Sequence, residues 1–275
     1  MKKKIVVRTL VLLFCLVWLV IAALPFVFMV LSSFKGQFEV LTNGVFALPE
    51  KFSFDNYVKV LSGNFPRYLL NSIMVTGISL TLLLATTSCA AFVFARLKFK
   101  VTTALFGLVV ACMSIPIHVA FIPVFILTKN IGLYDSIGAL VGPYVAFNLP
   151  ISVFILTGFM KLIPSEMEEA ASIDGCSLFS TFFRIILPLS LPGLATLGIY
   201  NSINMWNEFS FAMVLTQSPN PRTLPLAIWE YQGEYTMDTP KIMTVLTLSA
   251  VPMVIAFIIG QDKLIKGMMA GSVKG

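Results

Sequence analysis

Residues 169–175 read Glu-Ala-Ala-Ser-Ile-Asp-Gly and residues 185–188 read Ile-Ile-Leu-Pro, both between two long apolar runs. Just upstream, Pro164 precedes Ser165, and Ser165 and Glu168 have capping-box spacing, so a helix is expected to start at Glu166. Glu166, Glu168 and Glu169 then fall in its first turn, where the helix dipole favours negative charge. Asp174-Gly175 is expected to stop it, since glycine enters the left-handed region at a helix end without a Cβ penalty. A second amphipathic stretch follows, with Leu178, Phe179, Phe182, Phe183 and Ile186 assigned to one face. Pro188 and Pro192 bound the entry to the next apolar run. The expected product is a short acidic helix, a glycine bend and a second short helix lying at a membrane surface.

The membrane follows from composition. Of the 275 residues, 57% are hydrophobic and 12% charged, and the mean hydropathy is +0.91, which leaves too little polar surface for a soluble domain. Six runs, at 9–31, 69–95, 101–128, 137–160, 191–215 and 242–260, are long enough to cross the bilayer. A helix needs roughly 20 residues for about 30 Å of hydrocarbon. The chain is therefore read as one all-α membrane domain over 1–275, with a long loop at 32–68, the acidic loop at 161–190 and a tail at 261–275. The first run follows Lys2, Lys3, Lys4 and Arg8 but exceeds the length of a signal-peptide core, and it is read as a retained span.

Charge sets the orientation. The formal net charge is +6, yet the cations sit in short clusters beside apolar runs, where they act as topological anchors and give no basis for nucleic-acid binding. Six spans put both termini on one side, together with Arg96, Lys98, Lys100, Lys161 and Arg184. That side, which includes the acidic loop, is expected to be cytoplasmic. Glu166, Glu168, Glu169 and Asp174 face only Lys161 and Arg184 within the loop, so anionic headgroups would repel it. A protein partner with basic groups explains its acidity better than lipid does.

Several chemistries are excluded. No GxxxxGK[ST] phosphate loop and no HExxH occurs, and the spans hold no pair of carboxylates, so neither ATP hydrolysis nor intramembrane hydrolysis is expected of this chain. Cys15, Cys89, Cys112 and Cys176 form no CxxC pair and are read as small hydrophobes, with no disulfide frame and no metal site. His118 is the sole histidine, flanked by Pro116 and Pro123, and is read as a packing residue rather than a proton carrier.

The loop resembles the EAA loop by which permease subunits of bacterial ATP-binding-cassette importers grip their ATPase. Asn56-Tyr57, Asn71-Ser72, Phe94-Ala95-Arg96, Gly132-Leu133, Trp206-Asn207-Glu208-Phe209, Thr223-Leu224-Pro225 and the terminal Val-Lys-Gly extend the likeness over nearly the whole chain. They are similar to the maltose-permease G-type branch of the binding-protein-dependent transport inner-membrane component family. Cys176, where that family usually has Ala, and Met268-Met269, where Leu-Thr is commoner, depart from the pattern.

The resemblance implies a type I ABC importer permease fold with six transmembrane helices and a cytoplasmic coupling helix, in a bacterial cytoplasmic membrane. It implies an ATPase-coupling set of Glu166, Glu169, Ala170, Ala171, Asp174, Gly175, Leu187 and Pro188. Within it, Glu169 would pair with a basic residue of the ATPase, the two alanines would allow close approach and Gly175 would make the bend. A tail of Ala270, Gly271, Ser272, Val273, Lys274 and Gly275 would reach toward the ATPase. The implied partners are a second permease subunit, an ABC ATPase dimer that binds ATP and Mg, an extracytoplasmic solute-binding protein and membrane lipid. No cofactor is expected on this chain itself. The binding protein would meet the loops around 34–67 and 217–240, where Trp229, Tyr231 and Tyr235 offer contact area. The implied solute is an oligosaccharide, since no Lys or Arg lies inside a span to attract a phosphate; a glycerol-phosphate importer and, in another class, a secondary transporter are the alternatives.

The fifth run carries the most polar cargo. Asn201, Asn204 and Glu208 are spaced i, i+3 and i+7, which places them on one helical face, with Trp206 and Asn207 beside them. A carboxylate in hydrocarbon costs on the order of 3 kcal/mol, so this face should meet protein or water. Two readings stand side by side: a sugar path, and hydrogen bonds to the partner permease.

Overall fold

The computed structural model describes residues 2–44, 46–97, 99–233 and 236–272, with the side chains of 2–3 and 262–272 left aside. In chain order the α-helices are α1 (Lys2–Ser33), α2 (Gln37–Thr42), α3 (Asp55–Ser62), α4 (Phe65–Arg96), α5 (Thr102–Cys112), α6 (Phe121–Asn130) and α7 (Gly138–Lys161). They continue as α8 (Glu166–Ile173), α9 (Leu178–Thr181), α10 (Leu187–Leu189), α11 (Leu191–Trp206), α12 (Ser210–Leu215) and α13 (Thr239–Ser272). Among the described residues the one β-type pairing is an isolated bridge between Gln232 and Met237.

Four helices, Lys4–Ser33, Phe65–Arg96, Gly138–Lys161 and Thr239–Gln261, are long and apolar enough to cross a membrane. They overlie the runs read at 9–31, 69–95, 137–160 and 242–260. The other two runs are not single helices. At 101–128, α5 stops at Cys112, a 3₁₀ turn occupies Ile117–Ala120, and α6 leaves at 93° to the first piece. Pro116 has no N–H to donate and disfavours the helical region for Ile115 before it, so the break falls where the sequence places that proline. At 191–215 the helix ends at Trp206 and a separate α12 begins at Ser210. The bent pair here is Leu178–Leu189 with Leu191–Trp206, at 68°.

The chain forms two compact units. The first comprises residues 1–67 and 227–252. In it the apolar length of α1 is left uncovered for lipid or another subunit, while its last residues, Ser32 and Ser33, are buried. Beyond its end, Phe34 packs against Phe52, Phe54 and Tyr57, with ring centroids 5.1 to 5.7 Å apart. The Asn56 amide donates to the carbonyls of Ser33 and Lys35, each at 2.9 Å, and Thr244 Oγ1 donates to the Ser33 carbonyl at 3.3 Å.

The second unit comprises residues 68–226 and 253–275. Here α7 is the hub, packing on α5, α11 and α12, while α12 also packs on α6. Ala91 and Phe92 of α4, Leu156 and Met160 of α7, Phe182 and Ile186 of the segment between α9 and α10, and Leu197 of α11 close one apolar core. Burying side chains of this size contributes roughly 1.5–3 kcal/mol each. Gly193 at the start of α11 lets that helix approach α7, for a Cβ there would stand 2.8 Å from Cγ of Phe159.

This chain does not bury His118 or two of the cysteines. His118 is exposed, its ring edge-on to Phe121 at 5.2 Å. Cys15 and Cys89 are exposed as well, because they lie on helix faces that this chain does not cover.

Candidate functional site

The acidic loop is built from its first residue. α8 starts at Glu166 as the capping pattern implies, but Ser165 has helical backbone angles and makes no side-chain cap. Glu168 is drawn away instead: its Oε1 lies 2.5 Å from Nε of Arg96, at the end of α4. A second guanidinium nitrogen of Arg96 donates to the carbonyl of Ile163 at 2.7 Å. One arginine therefore ties the end of α4 to the turn after α7 and to the acidic helix. Sequence reading treated Arg96 as a topological anchor and missed this contact; the signal available was a cation ending one apolar run while an acidic helix follows another.

The C-terminal stop is fully formed. Gly175 has φ +76, the Cys176 N–H donates to the Ala171 carbonyl at 2.9 Å, and the Gly175 N–H donates to Ser172 at 3.1 Å. This pair of bonds is a Schellman motif, which satisfies two carbonyls that the helix end leaves open. Glu166, Glu169, Ala170 and Asp174 are exposed, whereas Ala171 is buried against its own chain and offers no surface to a partner. Ile173 is 86% exposed in the midst of this acidic face.

The second half of the loop has two apolar faces, not one. Phe182 and Ile186 are buried, with the Phe182 ring 4.9 Å from Phe92, while Leu178, Phe179 and Phe183 are exposed. A π-helical turn at Phe182–Ile186 widens the helix at this point, so the five residues do not share the face that regular spacing gives them. Ile185 and Leu187 pack at the edge of the core, and Pro188 lies exposed in α10 before the bend into α11.

The polar residues of the fifth run are dispersed. Asn201 is buried and donates to Ser152 Oγ on α7 at 3.0 Å and to the Leu197 carbonyl at 2.9 Å. Asn204 and Asn207 are exposed, and Trp206 is buried. Glu208 lies beyond the end of α11, and its carboxylate accepts from the N–H groups of Phe211 and Ala212, at 2.7 and 3.2 Å. It thereby caps α12, meeting orphan donors and the positive end of the helix dipole. Glu208 leaves the expected stripe because α11 ends at Trp206, and within α11 Asn201 is buried against α7 while Asn204 is exposed.

The tail residues Ala270, Gly271 and Ser272 lie on α13, which continues past the apolar stretch. Val273, Lys274 and Gly275 fall outside the described residues, as does Tyr235, while Trp229 and Tyr231 lie in a 3₁₀ segment, Leu224–Tyr231. Among the described residues no group of His, Cys, Asp and Glu is placed to hold a metal ion.

Comparison with known proteins bears on what this arrangement is for. The family described as binding-protein-dependent transport system inner membrane component matches residues 77–269. A putative ABC transporter permease protein of Caldicellulosiruptor sp. strain Rt8B.4 is 55% identical over 262 residues, covering 95% of each chain. The trehalose/maltose transport system permease protein MalG of Thermococcus litoralis is 31% identical over 280 residues, covering 100% of each. Among solved structures, a bacterial ABC transporter involved in import of the acidic polysaccharide alginate superposes with a TM-score of 0.82 at 19% identity, over 95% of this chain and 98% of that one.

Proposed function

This chain belongs to the binding-protein-dependent transport system inner membrane component family, and from that premise we propose that it is one of two permease subunits of an ATP-driven sugar importer. The observation that carries the proposal is the acidic helix. Its inner side is fastened through Glu168 to Arg96 and through Ala171 to the chain itself, while Glu166, Glu169, Ile173 and Asp174 are presented outward. Such an element receives a push from a partner and passes it on to α4, α7 and α11, whose side chains share the core around Phe92, Leu156 and Leu197.

In this reading a separate ATPase dimer binds ATP and Mg and docks a basic groove on Glu169 and its neighbours, and this chain holds no cofactor. The loop 161–190, both termini and the 270–275 tail are cytoplasmic. On the other side, a solute-binding protein delivers the sugar to the loops around 34–67 and 217–240. Closure of the ATPase dimer moves the loop, and the glycine bend at Gly175 lets α8 follow its partner while Phe182 and Ile186 carry the displacement into the spans. Asn204 and Asn207, exposed near the end of α11, face the solute path or the second permease. The oligosaccharide class is supported by the trehalose/maltose relative.

The test is affinity purification of the tagged chain from its native membrane in mild detergent, with mass spectrometry of what accompanies it. A second multi-span permease and a P-loop ATPase are expected, and Glu169→Lys is expected to lose the ATPase alone and to abolish uptake. A chain that purifies alone and moves sugar in proteoliposomes without ATP overturns the proposal.

A further inference from the structure

Lys35 is 2% exposed, and among the described residues no carboxylate lies within ion-pair reach of its ammonium. The stem is buried while the ammonium keeps contact with solvent, as the cost of taking its charge out of water requires. It lines a cavity of about 380 Å³, within the unit formed by residues 1–67 and 227–252. We propose that this cavity is an oxyanion site, with Lys35 taking one carboxylate or phosphate group of a small solute.

The charges around it leave room for an anion. Lys51, Lys59 and Lys241 line the same cavity with Lys35, against the carboxylates of Glu39, Asp55 and Asp238. Two of these acids are held by other groups. Glu39 accepts from the backbone N–H groups of Gly36 and Glu50, at 3.3 and 2.7 Å. Asp238 is paired with Lys241 at 2.5 Å. Asp55 stands in the first turn of α3, where the helix dipole favours its charge. Four lysines against three carboxylates leave the lining with one net positive charge, and among the described residues Lys35, Lys51 and Lys59 form no ion pair.

The walls are fixed before any ligand arrives. Asn56 holds the carbonyl of Lys35 itself, and the hydroxyls of Ser33 and Tyr57 meet at 2.7 Å just beneath. Gln37 donates to the carbonyl of Met237 at 2.7 Å and accepts from the N–H of Thr239 at 3.0 Å, fastening one wall to the other. A site ordered in advance loses less freedom on binding. The inference goes beyond the transport reading and does not depend on it.

The experiment titrates inorganic phosphate and glucuronate into the purified full chain, with whatever subunits accompany it, and follows thermal unfolding. Glucose and potassium chloride serve as controls for the sugar ring and for ionic strength. A saturable rise in Tm with either anion is expected in wild type, absent in Lys35→Met at tenfold higher anion and present in Lys35→Arg. Loss of an ionic hydrogen bond of this kind weakens binding about tenfold or more. Shifts of equal size in wild type and Lys35→Met, a shift that never saturates, or glucose acting as well as glucuronate, overturns the proposal. Should Lys35→Met fail to fold, the double variant Lys51→Gln with Lys59→Gln decides: at least a threefold loss of phosphate affinity supports the site, and a smaller loss or none refutes it. Because no transport is measured, failure here leaves the importer reading untouched, and failure of the importer reading leaves this site standing.

Discussion

Nε of Arg96 and Oε1 of Glu168 meet at 2.5 Å, joining the end of α4 to the acidic helix α8. The pair is largely shielded, with side-chain exposures of 10% and 24%, and Arg96 also stands in the last turn of α4, where a cation complements the helix dipole. A fully exposed pair contributes about 0–1 kcal/mol, whereas breaking a buried one costs about 3–5 kcal/mol. An intermediate coupling of about 1–2 kcal/mol is expected here. Arg96→Met and Glu168→Gln should each lower Tm in detergent, and the double variant should lose clearly less than the sum. Strict additivity in that cycle removes the tether from the mechanism.

Gly175 and Gly193 are both needed, for different reasons. At Gly175 a Cβ meets nothing within 4 Å, but φ is +76, so Gly175→Ala should cost about 1 kcal/mol from backbone conformation alone. Gly175→Asn should recover most of that, since asparagine tolerates the left-handed region. At Gly193 the obstacle is the Phe159 ring, and Gly193→Ala should cost about 1–3 kcal/mol through overpacking. Phe159→Leu in the same chain should relieve the second substitution and leave the first unchanged. Tm values of the single and double variants separate the two causes.

Asn201 and Asn204, three residues apart, should behave oppositely. Asn201 is buried and bonded to Ser152, so Asn201→Ala should destabilise by about 1–3 kcal/mol and couple to Ser152→Ala in a double-mutant cycle. Asn204 is exposed on this chain, and Asn204→Ala should change Tm by less than about 0.5 kcal/mol equivalent while altering uptake or association with the proposed partner permease. A purely structural loss in both variants rules out a path role for this end of α11.

The sequence and the structure part company at identifiable places. Long uninterrupted apolar runs such as 69–95 and 137–160 specify helices directly, because the bilayer leaves little alternative for their backbone. The end of α8 was legible too, since Asp174-Gly175 carries the chemistry of a Schellman stop. Hydropathy does not register a break that leaves composition unchanged, so the 93° bend after Cys112 was hidden although Pro116 marked it. The same holds for Glu208: its i+7 spacing from Asn201 has meaning only if the helix continues, and the residue itself caps the helix that follows. Ser165 and Glu168 fit a capping box locally, yet a guanidinium brought from Arg96, seventy-two positions before Glu168, outcompeted the cap. Nor does amphipathic spacing foresee a π-turn, which is why Phe179 came out 77% exposed and Phe182 buried.

Asp135 gives a pH dependence with a definite sign. It sits between α6 and α7 at φ 56, and its Oδ1 accepts from the N–H groups of Gln217 and Ser218, at 2.8 and 2.9 Å. Burial alone pushes its carboxyl up, but the hydrogen bonds from Ser218 and Gln217, helped by the charge of Arg222, outweigh this and hold it below the usual range. A carboxyl lowered in the folded state contributes stability above its unfolded pKa of about 3.9, and that contribution is lost as pH falls through the lower folded value. The contact between the 131–137 and 216–222 segments should therefore be intact at pH 5 and above and loosen only below about pH 4. Asp135→Asn tolerates the left-handed backbone and still accepts a hydrogen bond, so it should lose about 1 kcal/mol at neutral pH and show no further loosening on acidification. Hydrogen exchange at the Gln217 and Ser218 amides between pH 3 and 6, corrected for intrinsic rates, reads this directly. A wild type whose protection is flat across that range, or an Asn variant that loosens in parallel with it, assigns the acid response to another group.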